Sequence, residues 1–153
     1  MLLGHIGAAF AVKSVEKDCP LWIYIIAAML PDIMGAFLLL AGVETRTMYW
    51  SHSLIMTIVY SLISASIVFI VYKKQAASLL AAAAVCSHWL LDYISWPLGV
   101  IGIHHGIHIF DMTNETGLGL YNSFAGSLVS EILLPAVGVF IYFRKKSRRE
   151  AAY

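Results

Sequence analysis

Apolar residues fall in long uninterrupted blocks at 21–43, 51–72, 76–96 and 124–143, separated by short polar connections. At 1.5 Å of rise per residue, each block is long enough as a helix to cross a bilayer core of about 30 Å. A shorter block, "MLLGHIGAAFAV", opens the chain and is followed by Lys13 and Lys17. A secretory signal has its charges before the apolar stretch, so this segment reads as a retained helix. The pattern predicts an all-α polytopic membrane bundle of four transmembrane helices plus a short N-terminal re-entrant or interfacial helix. Residues 1–153 would form a single membrane-embedded domain ending in a basic cytoplasmic tail at 144–153.

Composition strengthens this reading. The chain is 60% hydrophobic and 12% charged, against roughly 45–50% and 25% for soluble domains. Lys13 and Lys17 precede the first long block, Lys73 and Lys74 separate the second from the third, and five Lys and Arg residues follow the fourth. The connection 97–123 has no Lys or Arg. By the positive-inside rule the basic segments are cytoplasmic and the 97–123 loop is external, with Arg46 as the exception. Trp22, Trp50, Trp96, Tyr49, Tyr72 and Tyr142 fall near block ends, where such rings anchor at the interface. The basic tail reads as a topology and headgroup anchor, and no aromatic-interleaved basic patch suggests nucleic acid. Cys19 and Cys86 should lie at different depths, with neither a disulfide nor a thiolate metal site.

Polar residues inside the apolar blocks carry the candidate chemistry. They are His5, Asp32, His52, His88 and Asp92. An aspartate at the bilayer centre costs about 2.5–3.5 kcal/mol, so two of them require compensation. His88 and Asp92 stand at i and i+4, on one helix face. Counted from the basic side at 1.5 Å per residue, Asp32 lies roughly 16 Å deep, and His88 and Asp92 roughly 18 and 24 Å. His52 enters from the opposite side, and His5 reaches mid-depth if its helix is re-entrant. The five are expected to meet in the outer half of the membrane. Pro31 should kink its helix and free carbonyls a turn earlier. Gly4 and Gly7 would permit close packing, and Ser51, Ser53 and Ser87 are candidate partners for the histidines or for their own helices.

A mixed imidazole and carboxylate set suits zinc, with manganese or iron as alternatives. Either two ions are bridged by a carboxylate, or one ion is bound and one aspartate, Asp32 or Asp92, is a catalytic base.

The order "GHI", "LPD", "WSHSL" and "SHWLLD" resembles the LexA-regulated inner-membrane family of metal-dependent hydrolases over roughly residues 1–96. The resemblance implies that His5, Asp32, His52, His88 and Asp92 are metal ligands in a multi-pass inner (plasma) membrane protein. Family members carry a histidine–arginine pair shortly before the second histidine step. Thr47 and Met48 stand there in this chain, so no role is assigned to that pair. The order of ligands is also similar to the secreted zinc phospholipase C and single-strand nuclease superfamily, whose members add later histidines. Here "IGIHHGIHIFD" supplies His104, His105, His108 and Asp111, of which His104 and His108 are the additional candidates.

The function expected is a membrane-bound metal-dependent hydrolase that cleaves a phosphoester of a membrane lipid or lipid-linked substrate with a metal-activated water. A proton or divalent-metal transporter using the same cluster is the main rival. A polar cluster that only stabilises the bundle, and a bis-histidine haem site on His52 and His88, are further alternatives.

Overall fold

The computed structural model describes residues 1–43, 50–95, 107–108 and 115–151. The predicted blocks all become helix: α1 (Leu2–Lys13), α2 (Leu21–Ala28), α3 (Leu30–Leu40), α4 (Leu54–Tyr72), α5 (Gln75–Ser95) and α6 (Phe124–Glu150). The last three are each long and apolar enough to cross a membrane, and α2 with α3 passes as a fourth span bent by 52°. A two-residue ribbon, Ile107–His108 against Glu115–Thr116, is the only strand pairing among the described residues.

The bend falls at Met29, just before Pro31. Pro31 has no N–H to give to the carbonyl four residues back, so the helix cannot run straight through that point. The helix that begins after the bend carries Asp32 in its first turn. On the next span, Ser53 caps α4 by accepting the Met56 N–H at 3.2 Å.

α1 does not lie flat on the bundle. It packs against α2, α5 and α6, burying Gly4, His5, Gly7 and Ala9. A Cβ at Gly7 would collide with the Pro135 backbone, and one at Gly138 with the Gly7 carbonyl, so the crossing of α1 and α6 depends on both glycines. The rest of the core is small as well: Ala27, Ala28, Ala77, Ala81 and Ala84 are buried between α2, α4 and α5. Small residues let helix backbones approach where lipid supplies no hydrophobic drive. Ser78 Oγ ties these helices further, donating to the Ala65 carbonyl at 2.7 Å. Large apolar side chains, among them Leu40, Leu62, Ile70 and Phe140, point outward.

α6 adds a feature at each end that the apolar pattern did not specify. A π-helical turn at Val129–Leu133 precedes Pro135, which again cannot serve the carbonyl four residues back. At its far end the helix runs on past Phe143 through the basic tail to Glu150, because Arg, Lys and Glu are good helix formers even where the apolar pattern has ended. Among the described residues, the basic side chains gather at one end of the bundle. Lys74 Nζ is 3.6 Å from Asp18, and Arg149 donates to the Ser14 carbonyl at 2.9 Å. Cys19 and Cys86 are both free.

Candidate metal centre

Four elements bring His5, Asp32, His52, His88 and Asp92 together. His88 and Asp92 come from one face of α5, with His88 Nε2 3.1 Å from Asp92 Oδ2. His5, near the start of α1, sets its Nε2 3.1 Å from Asp92 Oδ1, and its ring stacks on His88 at 3.7 Å between centroids. Asp32 Oδ1 lies 3.7 Å from His88 Nε2 and 3.1 Å from His52 Nε2, while His52 Nε2 is 3.9 Å from Asp92 Oδ2. The Met1 ammonium also lies 3.4 Å from Asp92 Oδ1.

The bend in the first span orients one of the ligands. His88 Nδ1 lies 2.7 Å from the carbonyl oxygen of Ala28, the last residue before the break. A carbonyl only accepts, so Nδ1 carries a proton and Nε2 is the ring atom left to offer a lone pair to an ion. Such an outer hydrogen bond is what fixes the tautomer of a metal-binding histidine.

Burial and hydrogen bonding divide the five residues into two groups. The side chains of His5, His88 and Asp92 are 0%, 1% and 3% exposed. His5 Nδ1 has no hydrogen-bond partner, while Nε2 of His5 and Nε2 of His88 each face the Asp92 carboxylate at 3.1 Å. The mouth pair differs: Asp32 is 36% and His52 14% exposed, and they hydrogen-bond each other. His52 Nδ1 is also partnered, by Ser51 Oγ at 2.9 Å. Of the other serines considered from the sequence, Ser53 caps α4 and Ser87 bonds back to its own helix at Ala84.

Distances of this kind suit an ion. Ligands at about 2.0–2.2 Å from zinc in tetrahedral array stand roughly 3.4 Å from one another, and the separations here run from 3.1 to 3.9 Å. Two sets of three ligand atoms each lie within 4.8 Å of one another: His5, His88 and Asp92, and Asp32, His52 and His88. Both sets need the one lone pair of His88, so His88 can complete only one of them.

Glu131, which the sequence reading did not single out, supports the centre from α6. Its carboxylate accepts the backbone N–H groups of Leu2 at 3.2 Å and Leu3 at 2.9 Å, capping the helix that carries His5, and also accepts the Tyr121 hydroxyl. A signal was present, since Glu131 is an acidic residue within the 124–143 block and incurs the same burial cost as Asp32 and Asp92. His104 lies outside the described residues. His108 belongs to the short ribbon, and its side chain lies outside what is described. No family model, curated protein or solved structure matches this chain.

Proposed function

We propose that this protein is a membrane-embedded, metal-dependent hydrolase acting on a phosphoester of a lipid or lipid-linked substrate. The observation that carries the proposal is the gathering of buried His5 and His88 around Asp92, each with its Nε2 3.1 Å from a carboxylate oxygen, beside a half-open Asp32–His52 pair. Burying two imidazoles and a carboxylate together is costly, and an ion in their midst offsets that cost. The residue-order resemblance to the LexA-regulated hydrolases points the same way.

In this reading His5, His88 and Asp92 hold one ion. The mixed donor set fits zinc, which when bound would polarise a phosphoryl oxygen and lower the pKa of a water toward about 7. Asp32 sits at the mouth with a carboxylate oxygen free of the deep triad, and accepts the proton of the attacking water. His52, fixed between Ser51 and Asp32, keeps that carboxylate in place. As the water oxygen bonds to phosphorus, the bond from phosphorus to the alcohol oxygen breaks, and the proton held by Asp32 passes to the departing alcohol. Buried walls behind the triad keep bulk water from the back of the site.

A lipid substrate is supported by the surroundings. A groove of about 270 Å³ between α2 and α4 is lined by Trp22, Ile26, Leu30, Ile63, Ile67 and Tyr72, with Leu30 two positions before Asp32 in the sequence. It suits an acyl chain whose headgroup reaches the mouth. Under the positive-inside orientation the centre lies in the outer half of the inner membrane, beneath the 97–123 loop.

The test is headgroup release from mixed phospholipids by the purified protein, with and without a chelator. Release that stops on chelation and returns with zinc supports the reading. A protein that holds metal, releases no headgroup and carries the metal across liposomes would instead be a transporter.

A further inference from the structure

At the basic end of the bundle, away from the metal centre, α1 and α6 enclose a second cavity. It measures about 220 Å³ and is lined by Lys13, Ser14, Lys17, Tyr142, Lys146, Arg149 and the single carboxylate of Glu150. Four cations from two segments face one carboxylate, so the cleft has an excess of positive charge. Its walls are fixed. Arg149 Nη2 donates to the Ser14 carbonyl at 2.9 Å, and the Tyr142 ring meets Phe10 edge-on at 5.3 Å. Lys13 is nearly buried, with its amine 3.6 Å from Glu16, and Lys146 lies 3.9 Å from Glu150. Lys17 stands exposed at the rim.

We propose that this cleft binds a phosphate group, carried by an anionic phospholipid. Its volume falls below the roughly 300–1,000 Å³ of pockets that take drug-sized ligands, and suits a headgroup phosphate. Phe143, next to Tyr142 on α6, is exposed, so an acyl chain leaving the cleft has an apolar side chain beside it. Basic pockets between membrane helices bind acidic headgroups for this reason. The site goes beyond a diffuse basic tail, because Arg144, Lys145 and Arg148 lie in a separate depression with Phe140 and Ile141. That second cluster provides a charge-matched control.

The experiment measures retention of phosphatidylglycerol by native mass spectrometry of the full chain, purified from phosphatidylcholine vesicles doped with that lipid. K17Q/K146Q, which leaves the Arg149–Ser14 bond intact, should lower retention about tenfold or more. R144Q/K145Q should leave it within about twofold, although it removes the same charge. Inorganic phosphate is added separately to protein in phosphatidylcholine alone. Binding of that ion, lost in K17Q/K146Q, would support the phosphate site with free phosphate as its source. Equal loss of lipid in both variants, or no loss in K17Q/K146Q, would overturn the proposal.

Discussion

The deep triad and the mouth pair use the same two side-chain types and share one neighbourhood, yet they are built for different work. His5, His88 and Asp92 are buried, with two imidazoles crowded on one carboxylate, whereas Asp32 and His52 are partly exposed and pair with each other. The difference teaches that clustering alone does not make a ligand set. A buried imidazole whose outer nitrogen is tied to a carbonyl and whose inner nitrogen faces a carboxylate could hold an ion. A carboxylate at the opening, steadied by a partnered histidine, has in the proposed reading the part of moving a proton.

The comparison breaks most directly at His88. His88→Ala removes the lone pair that both triads need, and should weaken metal retention by more than about 100-fold, beyond the loss caused by altering an outer hydrogen bond. Equilibrium dialysis against a chelator measures it. Asp32→Asn should keep the ion but lower the rate of headgroup release by about 10²–10⁴-fold, the range for loss of a general base. A variant that lost ion and activity together would make Asp32 a ligand and erase the distinction between the two groups.

Smaller effects sharpen the same contrast. Glu131→Gln weakens the cap on α1, and should cost roughly 0.5–2 kcal/mol of stability, the range for helix N-caps, with a modest fall in metal affinity through His5. Thermal denaturation with and without zinc reads both. Glu16, in the connection between α1 and α2, serves as a remote control. Burial pushes its carboxyl up, but the Cys19 and Asp18 N–H groups, the Tyr24 hydroxyl and Lys13 more than offset this and hold it below the ordinary glutamate value. With a folded pKa below the unfolded one, its contribution is full above about pH 4.3 and fades as pH falls through the folded value. Glu16→Gln should therefore flatten the acid limb of the stability profile while metal content at neutral pH stays unchanged.

Much of this arrangement was legible in the sequence because the membrane makes polar residues conspicuous. Four apolar blocks gave the spans, and His88 and Asp92 at helical spacing gave the face on which the site is built. Pro31 announced the bend. What could not be read was the use made of it: which carbonyl the bend presents, and that His88 would take it, depends on how α5 meets α2. The split into deep and mouth residues was equally hidden, since depth along a helix says nothing about how neighbours cover a side chain. Glu131 was open to the burial-cost argument, but no spacing rule connects a carboxylate in the last span with backbone N–H groups at the start of the first helix. That α6 continues as helix through the basic tail was not specified by the apolar pattern, because basic residues mark an interface without stopping a helix.

The central claim is that His5, His88 and Asp92 form a one-ion site to which Asp32 is not essential. Elemental analysis of the purified protein, in parallel with His88→Ala and Asp32→Asn, tests it most directly. The account predicts one divalent ion per chain in the native protein and in Asp32→Asn, and none in His88→Ala. A native protein free of metal, or one that loses its ion in Asp32→Asn as readily as in His88→Ala, would contradict it.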